Sequence, residues 1–374
     1  MTDFPVAEFE ARAEAAQRLM AQARLDALWL TTEAEVRYFT GFRTLFWQSP
    51  TRSWHVILPA KGKPIAIIPG IGAELMAATR VDDIRSWPSP RGQDEGVSLL
   101  TEALSGMDRI GVPMGAEASL RQPLNDFNAV TAAISAELVD CTPLIQTLRF
   151  VKSEAELAII RKVCAIGSSA FARAPDLFRV GQPLSDAFRA FKIALLEEGA
   201  EDVPYLVGGV GPEGYGDVIS PPSDAPLAEG DVLMLDTGAT LQGYFCDFDR
   251  NFALGRAFEP AKLAYAALHR ATDAGLEAAR PGTTCAELFH AMAAHLGGDS
   301  NVGRLGHGLG MQLTEWPSIA PFDQTVLKAG MVMTLEPSIA VTGTTMMVQE
   351  ENILITDGAP ELLTTRAAPE LPVI

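Results

Sequence analysis

Two carboxylates in this chain sit at matching ends of matching apolar runs. The pattern Leu227-x-x-Gly230-x-Val232-x-x-Leu235-Asp236 returns as Leu327-x-x-Gly330-x-Val332-x-x-Leu335-Glu336, and each copy reads as a turn feeding a buried strand that ends on an acid. An ionised carboxylate is costly to bury in an apolar strand, and two at corresponding positions call for a positive charge between them. Each strand also reads as the first arm of a hairpin, turning near Leu241 to Gly243 in one copy and near Gly343 in the other. Pairing about those turns predicts Asp247 opposite Asp236 and Glu350 opposite Glu336. Four carboxylates are neutralised by two divalent cations, whereas without metal some would have to stay protonated. His307, in the run Gly306-His307-Gly308-Leu309-Gly310, is the expected fifth ligand, because its glycine neighbours let the backbone crowd a site and leave imidazole as the large group.

Asp236, Asp247, His307, Glu336 and Glu350 are therefore the expected ligands of a dinuclear centre. Two such ions acidify a water and polarise an amide carbonyl, which is what hydrolysis of a C–N bond needs. The oxygen-rich set suits Mn(II), Fe(II) or Co(II) and admits Zn(II); manganese is the ion expected.

The order Asp, Asp, His, Glu, Glu resembles the pita-bread metallohydrolases, the family of creatinase, prolidase, aminopeptidase P and methionine aminopeptidase. The matching stretches are DTGATLQGYFCD (236–247), GHGLGMQLTEWP (306–317), LEPSI (335–339) and EENILIT (350–356). The resemblance is strong over roughly residues 150–374 and more diffuse before that, where it implies the small α/β domain of the creatinase and prolidase branch. It implies Glu336 and His307 as catalytic groups, Glu336 moving the proton of the attacking water, and a homodimer. The activity it implies is that of an Xaa-Pro peptidase, cleaving a dipeptide or small amide. The alternative on the same scaffold is a creatinase-like or ectoine-hydrolase-like enzyme, or a lyase of a small zwitterion.

Departures from the family pattern bear on the substrate. Thr314 stands where the peptidases carry a second His, Val348 where they often carry Arg, and Ile219 or Ser220 near a further His position. Thr314 is accordingly a candidate substrate contact. Asp249 replaces the usual Thr or Ser and is expected either to join the cluster or to face solvent. Arg52, in SPTRSWHVI (49–57), resembles the N-domain arginine with which creatinase grips a substrate carboxylate.

The elements that must position these groups form two domains, expected at residues 1–148 and 149–374. The first alternates an amphipathic stretch (6–25) with apolar runs at 27–32, 55–60 and 64–69, an α/β pattern. The last two runs bracket Lys61-Gly62-Lys63, a hairpin-length loop, so the sheet is predicted to be mixed. At the boundary, Ser153 and Glu156 form a capping box ahead of a helical pattern. Helices are expected near 153–173, 184–198, 260–279 and 284–296, the last two separating the apolar β-like runs at 231–236 and 331–341, giving an α+β second domain with a pseudo-twofold internal repeat. Gly209, Gly211 and Gly214 have dinucleotide-fingerprint spacing, but Pro212, Pro221 and Pro222 argue against the helix that motif needs.

Composition narrows the partners. With 47 acidic and 29 basic residues the formal charge is −18, which lacks the basic face nucleic acid requires. No apolar run approaches the ~20 residues that span a bilayer, and the acidic start is unlike a secretory leader, so the expected location is the cytoplasm. Cys141, Cys164, Cys246 and Cys285 show no C-x-x-C pair and read as reduced, buried thiols.

Overall fold

The computed structural model describes residues 4–49, 52–297 and 303–374. The chain forms two compact units, Met1–Arg149 and Phe150–Ile374.

The first unit is built on six strands: β1 (Ala27–Leu30), β2 (His55–Pro59), β3 (Ile65–Pro69), β4 (Asp83–Trp87), β5 (Arg109–Val112) and β6 (Glu137–Asp140). Their order is β4-β3-β2-β1-β5-β6. The expected hairpin joins β2 to β3 antiparallel, with Ile57 opposite Ile65, while β1 and β5 run parallel, so the sheet is mixed. Strand alternation sends Ile57 and Ile67 into one core with Trp29 and Trp87, and Val56, Ala66 and Ile68 into another with Phe42 and Trp54. Both faces are covered, which is why these strands read as unbroken apolar runs.

The second unit places helices at Glu154–Ala172, Leu184–Glu197, Glu259–Ala278 and Cys285–Ala293. The first begins with the expected capping box: Glu156 N donates to Ser153 Oγ at 3.3 Å, and Ser153 N to Glu156 Oε2 at 2.9 Å. Strands β7 (Asp202–Gly211), β8 (Val232–Leu241), β9 (Tyr244–Phe245) and β10 (Phe248–Ala253) follow the first helix pair. After the second pair come β11 (Gly306–Gly308), β12 (Glu315–Ser318), β13 (Val332–Leu335), β14 (Ser338–Ala340), β15 (Met346–Val348), β16 (Glu351–Leu354) and β17 (Glu361–Leu362). The sheet orders are β10-β8-β7, with β9 on β8, and β12-β11-β13-β16-β17; β14 pairs with β15.

The internal repeat extends beyond the acids. Leu227 N donates to Gln182 O at 2.8 Å and Leu227 O accepts from Gly181 N at 2.7 Å; Leu327 makes the same two bonds with Thr283 O and Gly282 N, at 2.8 and 3.0 Å. Each buried Leu thereby ties its turn to the entrance of the second helix of its own half. Gly230 and Gly330 then turn with φ of 92° and 90°, and the strands β8 and β13 start two residues later. Met234, Leu268, Met292, Leu335 and Ile353 belong to one buried core beneath both copies. The glycines at 208–211 serve strand contact: a Cβ on Gly208 would stand 2.2 Å from Met234 O, and no helix follows β7 before β8. Among the described residues no helix is long and apolar enough to cross a membrane.

Candidate metal centre

The two hairpins deliver the acids, with one change from the expected pairing. Asp249, not Asp247, stands directly opposite Asp236 across β8 and β10. The cause is the turn. Gln242 and Gly243 both have positive φ, 48° and 70°, the signature of a two-residue type I′ hairpin, and Leu241 pairs with Tyr244 around it. The hairpin thus centres one residue later than expected and the register moves by two. A shift of two preserves the face, so Asp247 still lies on the Asp236 side of the sheet. In the second copy, β13 pairs Leu335 with Glu351 and β14 pairs Ser338 with Val348; the two ladders share one register, which sets Glu350 across from Glu336 in the gap between them.

These elements bring all five expected ligands together. Asp236, Asp247 and Glu350 each offer a carboxylate oxygen within 4.8 Å of the others, and all three are buried. His307 Nε2 lies 3.3 Å from Asp247 Oδ2 and 3.8 Å from Glu336 Oε2. The Glu336 side chain is 29% exposed, which makes it the open side of the cluster. His307 Nδ1 lies 2.8 Å from Gly308 O, so Nδ1–H donates there and Nε2 is the nitrogen turned toward the carboxylates. Its strand packs unusually close to β13: Gly306 has φ 140°, and a Cβ there would sit 2.0 Å from Thr334 O.

The donor set fits a divalent metal on two observations. Among the described residues, Asp236 Oδ1, Glu336 Oε2 and Glu350 Oε2 are buried oxygens with no hydrogen-bond partner, a costly arrangement unless a cation completes it. Burial, reinforced by the neighbouring acids, also pushes the carboxyls of Asp236, Asp247 and Glu350 well above the usual range. A cation between them reverses that effect. Asp249 is fully buried and lies outside the three-carboxylate group, so of the two expectations for it, facing solvent is corrected. It is covered because β10 lies inside the fold, and Asn251 Nδ2 donates to its Oδ2 at 2.8 Å.

Several supporting residues escaped the sequence reading. Asn352 holds the Asp247 peptide from both sides: its Oδ1 accepts from Asp247 N at 3.0 Å and its Nδ2 donates to Asp247 O. An Asn two residues past an acid in an apolar run was the available signal. Tyr205, on β7, has its hydroxyl pKa raised by burial and by the nearby charge of Asp236, a proximity that depends on how β7 packs beside β8. Thr314 is half-buried and accepts from Arg304 Nη2 at 3.4 Å. Arg52 belongs to the first unit, where its carbonyl accepts from Arg121 Nη1 at 2.9 Å.

Comparison with known proteins agrees with this geometry. Residues 158–357 match the metallopeptidase family M24, and residues 12–151 match the creatinase/prolidase N-terminal domain. A probable dipeptidase PepE of Mycobacterium tuberculosis is 30% identical over 353 residues, 91% of this chain and 90% of the relative. An Xaa-Pro dipeptidase of Pyrococcus horikoshii is 30% identical over 270 residues, 70% of this chain and 75% of that protein. The crystal structure of dipeptidase PepE from Mycobacterium ulcerans superposes with a TM-score of 0.84 at 27% identity, covering 99% of both chains. The second unit has the pita-bread fold of a metal-dependent hydrolase. The chain belongs to metallopeptidase family M24.

Proposed function

We propose that Asp236, Asp247, His307, Glu336 and Glu350 hold two divalent ions, manganese foremost, and that the enzyme cleaves the C–N bond of Xaa-Pro dipeptides. The observation that carries this reading is the convergence of one imidazole nitrogen and four carboxylates, three of them with an unpartnered buried oxygen. The names of the M. tuberculosis and P. horikoshii relatives support the dipeptide substrate. Bound divalent ions supply an acidified water and a polarised carbonyl.

The chain's own groups have separable tasks in this scheme. His307, fixed as the Nδ1–H tautomer by Gly308 O, orients a neutral nitrogen toward the acids. Glu336, on the open side, is placed to take a proton from the attacking water and return it to the leaving amine. Asp236, Asp247 and Glu350 lie deeper and serve as anionic anchors. Thr314 and Arg52 are the proposed substrate contacts, and we assign the enzyme to the cytoplasm as a homodimer. A small non-peptide C–N compound is the second reading, favoured by Val348, which is buried, uncharged and tied by its N–H to Tyr215 Oη at 2.7 Å.

The test combines Asp236→Ala and His307→Ala with metal counting and turnover of Ala-Pro and Gly-Pro after reconstitution with Mn(II), Co(II), Fe(II) or Zn(II). Both variants should lose metal and activity together. Unchanged stoichiometry would remove the ligand assignment; two metals in the wild type without dipeptide cleavage would favour the non-peptide reading.

A further inference from the structure

The chain at the start of the second unit, Val151 to Glu156, grips three segments that carry metal ligands. Val151 pairs with Met331, and Lys152 N donates to Gly330 O at 2.9 Å, against the turn that feeds β13 and Glu336. Glu156 Oε1 accepts from the Tyr244 hydroxyl at 2.9 Å, three residues before Asp247. Between these two grips the Lys152 side chain crosses to Glu315, Nζ to Oε2 at 3.2 Å, with the side chains only 3% and 6% exposed. Glu315 stands opposite Gly308, beside His307, where the β11–β12 register shifts.

A buried ion pair is a poor source of stability, because removing both charges from water offsets most of their attraction, yet it tolerates little change in geometry. The second Glu315 oxygen shows what is being held. Oε1 accepts from Met311 N at 2.8 Å and Gln312 N at 3.2 Å, so the loop that follows His307 is wrapped on the carboxylate. A Cβ on Gly310 would stand 2.6 Å from the same oxygen, so only a glycine lets the backbone pass there. Gly310 O in turn accepts from Phe245 N at 2.9 Å, two residues before Asp247. A displaced Glu315 would thus move the chain on both sides of one contact, His307 Nε2 to Asp247 Oδ2 at 3.3 Å.

We infer that the Lys152–Glu315 ion pair is a positioning device of the metal centre, fixing His307 against Asp247 and so setting the affinity for a divalent ion there. The inference rests on the metal-centre reading above. Neither residue is one of the five ligands, and both act through the loop between β11 and β12. Loss of a supporting contact behind a metal ligand lowers affinity by about 10-fold or more.

The experiment measures Mn(II) and Co(II) affinity by chelator competition, at a temperature where circular dichroism shows each variant folded, with Tm and Ala-Pro turnover in parallel. Lys152→Met leaves Glu315 buried without its cation and should lower both Tm and metal affinity. The double variant K152M/E315Q holds neither charge and keeps an amide oxygen for Met311 N and Gln312 N. Its Tm should return toward wild type while its metal affinity stays at least ~10-fold down. Lys152→Arg keeps the charge and should bind metal more tightly than K152M. Affinity that recovers together with Tm in the double variant, or wild-type affinity in folded K152M, would assign the pair to the fold alone and overturn the inference. If K152M does not fold, the double variant decides. Failure of the wild type to cleave Ala-Pro removes the dipeptide reading, and the affinity comparison still decides the role of the pair. A wild type that binds neither ion overturns the metal reading and this inference together.

Discussion

Asn352→Ala is the substitution whose consequence follows most directly from the structure. Asn352 is fully buried on β16, two residues beyond Glu350, and its amide spans the Asp247 peptide. Its Nδ2 also donates to Thr334 Oγ1 at 3.0 Å. Truncation leaves the buried Asp247 N–H without its acceptor, at about 1–3 kcal/mol. The Asp247 carbonyl keeps a long bond from Thr334 Oγ1 at 3.5 Å, so its loss is smaller. Lost packing adds about 1 kcal/mol, for a total near 2–4 kcal/mol, or roughly 4–16 °C in the Tm of the second unit. Because Asp247 is thereby freed to move, metal affinity should fall about 10–100-fold. Urea unfolding with an unchanged m-value and chelator competition measure the two effects separately. A loss below about 1 kcal/mol together with wild-type metal affinity would refute the claim that Asn352 positions Asp247.

Removing the metal should reverse the pH dependence of stability around the centre. In the metal-free protein, burial and mutual repulsion raise the folded-state pKa of Asp236, Asp247 and Glu350 above their unfolded values. The folded state then holds more protons, so stability is greatest below the unfolded pKa and is lost as pH rises. Metal binding needs the ionised ligands, so loaded protein loses its extra stability as pH falls. The Tm gap between loaded and EDTA-stripped protein should therefore widen from pH 5 to 8, and a constant gap would contradict this. In the first unit, burial lowers the His55 pKa to about 3 from 6.5, with its Nδ1 accepting from Trp29 Nε1 at 3.1 Å. Its neutral form is favoured in the fold, so stability present above pH 6.5 is lost as pH falls toward 3, by up to about 1.4 kcal/mol per pH unit. His55→Leu should flatten the acid unfolding curve read by Trp29 fluorescence, and an unchanged acid slope would exclude His55 as its source.

Much of the fold was legible because periodicity and capping are local signals. The Ser153 capping box, the hairpin around Lys61–Lys63 and the four predicted helices of the second unit all follow from residues close together in the sequence. The acid-bearing strands were legible for a different reason: a duplicated apolar run ending twice on a carboxylate conflicts with the cost of burial, and the conflict marks the centre. What stayed hidden is non-local. Asn352 and Tyr205 acquire their roles only when β16 and β7 come alongside the ligand segments.

The one misplaced pairing shows which feature of a strand the chemistry depends on. Reading the turn at Leu241 to Gly243 instead of at Gln242–Gly243 exchanged Asp247 for Asp249 as the partner of Asp236. It left Asp247 on the correct face, because a hairpin that shifts its centre by one residue shifts its register by two, and two is the period of a strand. The identity of the cross-strand partner therefore depends on turn chemistry, while membership of the metal-facing row depends only on parity. The same argument separates the two acids. Asp247 reaches His307 Nε2 and Asp236, whereas Asp249, one step further along the same row, meets Asp236 from inside the sheet with Asn251 holding one of its oxygens. Two carboxylates on one face thus occupy different environments: Asp247 precedes β10 and contacts His307, whereas Asp249 lies within β10 directly opposite Asp236.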